Sequence, residues 1–117
     1  MGWFSKKDSG FFLATIVPAG DSPRIASYLG IVNGEAIIGA NIFRDMFASV
    51  RDVVGGRAGG YERALSGARD AALDDMMAAA KEMGADGIVG IDFDYEVLGE
   101  NNGMMLVAVS GTAVRMA

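Results

Sequence analysis

The fold of this chain is decided by one stretch near its C-terminus, Tyr61–Arg115, with the sequence YERALSGARDAALDDMMAAAKEMGADGIVGIDFDYEVLGENNGMMLVAVSGTAVR. At 100° per residue, one narrow stripe of its first part is formed by Tyr61, Leu65, Ala68, Ala72, Met76, Ala79 and Met83. The stripe predicts a long helix from Tyr61 to Met83. Gly84 follows at the position where a left-handed residue commonly ends a helix. Three of the stripe residues are alanines, so the helix can pack closely on a sheet.

After Gly84 the hydrophobic period changes from that of a helix to two, which is typical of a strand. One set of alternating residues is apolar and consists of Val89, Ile91, Phe93, Tyr95 and Val97, and the opposite set contains Asp92, Asp94 and Glu96. We predict strands over Asp86–Leu98 and Met104–Arg115. The two strands are joined by Glu100-Asn101-Asn102-Gly103, whose residue types favour a turn, so we expect the strands to be antiparallel. The stretch therefore predicts a helix lying on a strand meander.

The N-terminal half adds further strands. Phe11–Val17 is short, apolar and β-prone, and Pro18 and Pro23 follow it. Ile25–Val32 and Glu35–Gly39 flank Asn33-Gly34, which is a strong hairpin signal. A single bent strand through Gly34 is the alternative, with Gly30 and Gly39 marking bulges or close backbone contacts.

A second, shorter helix is predicted between these strands and the long helix. Asn41 is a favourable N-cap, and the apolar residues from Ile42 to Val54 occupy one side of a helix. Gly55-Gly56 ends this segment. We expect residues 1–10 to be a flexible tail and residues 11–117 to form a single domain.

The composition of the chain excludes several classes of function. The 117 residues carry a net charge of −5 and contain neither cysteine nor histidine. A negative charge argues against binding to nucleic acid. The missing residue types exclude disulfides, thiolate catalysis, zinc fingers and the commonest general base. Without a transmembrane run or a signal-peptide pattern, a cytoplasmic location is expected, and two aromatics beside Lys6 and Lys7 make membrane contact by the tail a weak prospect.

The last strand is apolar on both sides. Met105, Val107 and Val109 lie on one side, while Leu106, Ala108 and Val114 lie on the other. Two helices can cover only one side of a small sheet, so something else must cover the second. The simplest cover is another copy of the chain, which predicts a homo-oligomer.

Ten short strings in order resemble the YbjQ family of small bacterial and archaeal proteins, labelled heavy-metal-binding. They are YLGIV (28–32), GEA (34–36), GANI (39–42), RD (44–45), GGR (55–57), YE (61–62), AR (68–69), GAD (84–86), VGID (89–92) and SGTAV (110–114). The resemblance covers about Phe11 to Met116. It implies a dodecin-like α+β two-layer domain, with an antiparallel sheet, a short and a long helix, and assembly as a ring-shaped homopentamer.

The main candidate site is the acidic side of the penultimate strand. Asp92, Asp94 and Glu96 alternate along it, so three carboxylates share one face. Clustered oxygens suit Ca²⁺, Mg²⁺ or Mn²⁺, and several such ladders could meet in a ring. The alternatives are a solvated sheet face or pairing with arginines such as Arg115.

Other candidates for ligand binding are Asn41, Arg44, Asp45 and Arg57. Arg57 lies in the glycine-rich segment 55–60 before a helix N-terminus, a geometry suited to anions, although a hinge explains the glycines as well. Asn41 is most simply a helix cap, and Arg44 and Asp45 most simply form ion pairs, within one subunit or between two.

These observations favour a non-enzymatic, oligomeric binding or scaffold protein, with a divalent or heavy metal as its candidate ligand. No catalytic residue is predicted, because the serines have no histidine to activate them and Lys81 lies on the polar side of the long helix. One alternative is an enzyme that acts through carboxylates while Arg57 or Arg44 holds an anionic substrate. Another is a structural ring tethered by the tail.

Overall fold

The computed structural model describes residues 10–20, 24–39, 41–42, 59–98 and 103–117. Its elements, in chain order, are β1 (Phe12–Leu13), β2 (Ile25–Ile38), α1 (Gly59–Glu82), β3 (Gly87–Leu98) and β4 (Met104–Met116). The described residues therefore form the expected α+β arrangement, with one long helix packed on a sheet.

The sheet has the order β1-β3-β4-β2. β4 lies between β3 and β2 and pairs antiparallel with both. β1 pairs parallel with β3, so the expectation of a purely antiparallel sheet is wrong. β1 is also shorter than the predicted Phe11–Val17, because the chain leaves the sheet early: Ile16 is 69% exposed and Val17 is 52% exposed.

β2 is one continuous strand, and the predicted hairpin at Asn33-Gly34 is wrong. All along its length β2 pairs with β4, from Ile25 opposite Met116 to Ile38 opposite Met105. Gly34 does not form a turn but makes room for the backbone of α1. A Cβ at Gly34 would overlap the Ala72 carbonyl oxygen and lie 2.7 Å from the Met76 backbone nitrogen. The alternative of a strand passing through Gly34 is thus confirmed, and Gly30, with a φ of +142°, lies at a register shift.

α1 ends as the sequence predicts. Gly84 has a φ of +82°. Its N–H donates to the Lys81 carbonyl (3.0 Å), and the Ala85 N–H donates to the Ala80 carbonyl (3.1 Å). This pair of bonds is a Schellman motif, which satisfies carbonyls that the helix leaves unpaired.

The core lies between α1 and the side of the sheet that we call the helix face. From α1 it is filled by Ala68, Ala72, Leu73, Met76, Met77 and Ala80. Val107, Val109, Val32 and Ile88 meet them from the strands. At the end of the predicted stripe, Met83 is 38% exposed. We call the opposite side of the sheet the outer face.

A bulge in β3 changes which residues share a face. Val89 lies opposite Thr112 and Asp92 lies opposite Ser110, so three steps along β3 match two along β4. Gly90, with a φ of +64°, lies at this point. Val89 therefore lies on the same side as Asp92, and its predicted grouping with Ile91 is wrong. An alternating pattern cannot reveal an extra residue.

The predicted helix over Ile42–Val54 falls almost entirely outside the described residues, as do residues 1–9 of the predicted tail. Within the described ranges, no helix has the length and apolarity needed to cross a membrane.

Candidate functional site on the outer face of the sheet

The strand registers place polar residues in two neighbouring rows across the middle of the outer face. One row contains Asn33, Ser110 and Asp92 on β2, β4 and β3. The next row contains Glu35, Ala108 and Asp94 in the same strand order. Three of the four ends of these rows are carboxylates. Two strands that are far apart in sequence thus bring acidic groups to the same surface.

The predicted ladder of Asp92, Asp94 and Glu96 lies on this face and is exposed. Alternate strand residues are about 6.6–6.8 Å apart, so the first and last Cα atoms of the ladder are separated by roughly 13 Å. A single ion, with metal–oxygen bonds of about 2.0–2.6 Å, cannot take all three side chains. Consistent with this, no group of three Asp, Glu, His or Cys residues in the described part of the chain could hold a metal ion. Within one chain, the ladder offers separate carboxylates rather than one closed site.

The small side chain of Ala108 leaves a shallow depression between Glu35 and Asp94. It has a volume of about 270 Å³, and its polar lining comes from Asn33, Glu35, Asp94 and Ser110. Hydroxyl, amide and carboxylate oxygens are the ligands that hard cations prefer. Two strand spacings of about 4.8 Å separate Glu35 from Asp94, so a cation between them would keep water in part of its shell. The depression is therefore open to solvent.

Sequence reasoning missed Glu35 and Asn33 as neighbours of the ladder. The sequence predicts a hairpin at Asn33-Gly34, which would turn the chain back at that point. Only the order β3-β4-β2 brings them beside Ser110 and Ala108. The available signal was that Val32, Ala36 and Ile38 occupy alternate positions on either side of Gly34, which is compatible with one long strand.

Large apolar side chains surround these rows on β2. Tyr28 is 61% exposed, Ile31 is 77% exposed and Ile37 is 59% exposed. On β4, Leu106 and Ala108 are only partly buried, whereas Val114 is fully buried. The outer face thus combines exposed β-branched and aromatic residues with carboxylates.

The remaining candidates do not join this surface within the described residues. Asn41 is exposed. Arg44, Asp45 and Arg57 lie outside the described residues. Arg115, considered as a partner of the ladder, lies opposite Ser27, five positions along β4 from the residue that faces Asp92.

A second, smaller cleft lies between α1 and β3 on the helix face. It has a volume of about 70 Å³ and is lined by Ser66, Arg69, Asp70, Leu73 and Phe93. Beside it, Arg69 Nη1 donates a 3.4 Å hydrogen bond to the Tyr95 hydroxyl. A cleft of this size holds only a few waters. The hydrogen bond between Arg69 and Tyr95 joins α1 to the C-terminal half of β3.

Comparison with known proteins identifies the family. A model of the YbjQ family, described as "Putative heavy-metal-binding", matches residues 13–117. The chain belongs to the YbjQ family. This YbjQ-family chain is 66% identical over 92 residues to a UPF0145 protein of Bacillus thuringiensis subsp. konkukian, a match covering 79% of the chain and 87% of the relative. A UPF0145 protein of Bacillus cereus (strain ATCC 10987 / NRS 248) matches to the same extent, with 66% identity over 79% of the chain and 87% of the relative.

A solved structure supports the fold of this YbjQ-family domain. It is the crystal structure of a protein with unknown function from the DUF74 family of Pediococcus pentosaceus. The TM-score is 0.64, and the match covers 93% of this chain and all of that chain. The sequence identity is 17%, so the likeness shows the fold alone.

Proposed function

We propose that this protein is a non-enzymatic, self-associating binding protein whose outer-face carboxylates take a divalent metal ion. The observation that carries the proposal is the outer face itself. Exposed Ile31 and Ile37 lie on the same surface as Glu35, Asp92 and Asp94. An apolar surface favours a protein contact, and neighbouring carboxylates favour a cation.

The self-association part follows from the exposed apolar residues. Burying side chains as large as Ile31, Ile37 and Tyr28 is favourable by roughly 25 cal/mol per Å² of apolar area removed from water. A second copy of the chain can cover these side chains without any further partner. The family resemblance makes a ring-shaped homopentamer the expected assembly, in which neighbouring copies would meet head to tail.

In this proposal, metal binding depends on the assembly of several copies. In the described part of one chain, no three candidate ligands converge. A cation at the depression between Glu35 and Asp94 therefore needs water or carboxylates from a neighbouring copy, such as its Asp92 or Glu96, to complete its shell. Metal binding and self-association then stabilise each other, because an ion shared between copies favours the assembled state. This coupling needs no catalytic group, in keeping with a chain without histidine or cysteine.

Native mass spectrometry with elemental analysis tests both parts on untagged protein. We expect a pentamer that takes up Mn²⁺ or Ca²⁺. The double variant Glu35→Gln/Asp94→Asn should lose the metal, whereas Glu82→Gln, an exposed charge change at the end of α1, should retain it. A monomer would refute self-association. Metal uptake that is unchanged in the double variant would refute the depression as the binding site.

A further inference from the structure

β2 has an open hydrogen-bonding edge along its regular part. It is the terminal strand of the sheet in the described part of the chain. Its register with β4 shifts near Ser27 and near Leu29, and then continues without a break from Gly30 to Ile38. A long, flat edge strand is a template to which another extended chain can add. Proteins commonly blunt such an edge with lysine, proline or a bulge.

The regular part of β2 lacks those devices. From Gly30 to Ile38 its sequence is GIVNGEAII, in which Glu35 is the only charged residue and proline is absent. Ile31 and Ile37 are exposed on this segment. Such a short, β-prone and nearly uncharged sequence is prone to pair with a copy of itself. Something else must therefore protect the edge.

The structure places one carboxylate of α1 at the middle of this edge. The backbone N–H of Glu35 does not point towards β4 but donates to Asp75 Oδ2 at 3.2 Å. By the alternation of antiparallel pairing, the backbone N–H groups of Asn33 and Ile37 point the same way. An incoming strand would need to bond these groups as a set. Its carbonyl oxygens would instead meet the negative charge of Asp75 at the central position.

Gly34 explains why Asp75 can reach the edge. The missing Cβ lets α1 contact the strand backbone directly at Ala72 and Met76. Asp75 directly precedes Met76 on the helix, so its short side chain spans the remaining distance to the neighbouring residue, Glu35. A helix held further from β2 would leave this N–H to water or to another strand.

We propose that Asp75 is an edge guard, which blocks the addition of a second copy's strand to β2 and leaves the outer face for contacts between copies. The guard goes beyond the proposed function, since it requires neither metal nor a ring. It predicts that removing one exposed carboxylate from α1 creates a new mode of association. The proposed effect of Asp75 depends on its hydrogen bond to the Glu35 N–H.

The test compares Asp75→Ala with Asp75→Asn and with Asp74→Ala. The last variant makes the same charge change at the neighbouring exposed position. Amide hydrogen exchange measured by NMR should be about tenfold faster at Glu35 in Asp75→Ala, because the hydrogen bond to a charged acceptor is lost. Light scattering across a concentration series should show additional, larger species in Asp75→Ala but not in Asp74→Ala. Asp75→Asn keeps an acceptor oxygen and should fall between the wild type and Asp75→Ala in both measurements.

Two results would overturn the guard. One is a Glu35 amide whose exchange rate is the same in Asp75→Ala and the wild type. The other is a faster Glu35 amide without any change in the mass distribution, which would make the hydrogen bond purely local. Because each result is a difference from the wild type, a monomeric wild type would refute the proposed self-association while leaving this comparison decisive.

Discussion

Substituting Gly34 by alanine tests the close contact between α1 and β2 on which the fold depends. The added Cβ would overlap the Ala72 carbonyl oxygen and approach the Met76 nitrogen to 2.7 Å. Both are backbone atoms, so no side-chain rotation relieves the overlap, and α1 must move from β2 by roughly an ångström in a close-packed interior. The movement loosens the packing of Ala72 and Met76, which are both fully buried.

The expected loss follows from these contacts. Overpacking of a core costs about 1–3 kcal/mol, and the movement of the helix places Gly34→Ala at or above the upper end of that range. For a domain of this size, about 3 kcal/mol lowers the melting temperature by roughly 10–20 °C. The assay is thermal unfolding followed by circular dichroism at a fixed protein concentration, since self-association changes apparent stability.

Gly67→Ala is the matched control for Gly34→Ala. Gly67 also belongs to the α1–sheet unit, but a Cβ there would have no atom within 4 Å. Alanine is the better helix former, so this variant should be more stable than the wild type by about 0.5–1 kcal/mol. A Gly34→Ala protein that melts within about 2 °C of the wild type would refute the close packing of α1 on β2.

Asn33→Thr should be tolerated, because Asn33 is an exposed strand residue rather than part of a turn.

Three further variants probe other contacts. Met76→Ala removes a side chain with no exposed surface and should lower the free energy of unfolding by about 2–5 kcal/mol in urea titrations, whereas a loss below about 1 kcal/mol would contradict its place in the core. Gly87→Ala would bring a Cβ to 2.8 Å from the Phe12 Cβ and should detach β1 from β3. The expected result is faster amide exchange at Phe12 and Ala14, whose N–H groups donate to the β3 side, and unchanged exchange there would argue against this packing. Phe11→Leu removes the ring that lies 5.4 Å from Lys81 Nζ and should raise the amide exchange rate at Phe12 slightly, with no change at Val109 on the central strand β4 as the internal control.

The C-terminal half of the fold could be predicted because its signals are local. The helix stripe, Gly84 and the alternation of β3 each depend on residues that are near one another in sequence. The ends of α1, β3 and β4 accordingly lie within two residues of the predicted ones. The face of Asp92, Asp94 and Glu96 was predictable for the same reason, because alternation in a strand decides it.

The errors arose where a residue serves a contact that is distant in sequence. Gly34 resembled a turn residue, since Asn-Gly favours hairpins, but the helix some 40 positions later needs its missing side chain. Gly90 allowed a bulge that an alternating pattern cannot show. The sequence shows both glycines, but only the tertiary packing shows why glycine is needed at each position.

The sequence by itself determined the family, the α+β class, the long capped helix and the acidic ladder, because periodicity and short motifs record local geometry. Only the tertiary structure decided that β2 runs as one continuous strand beneath α1, that Glu35 and Asn33 join Asp92 and Asp94 on one surface, and that Asp75 reaches the edge of β2. These facts depend on strand order and on the approach of two backbones. Such distances are set by the whole packed domain, and no single segment encodes them.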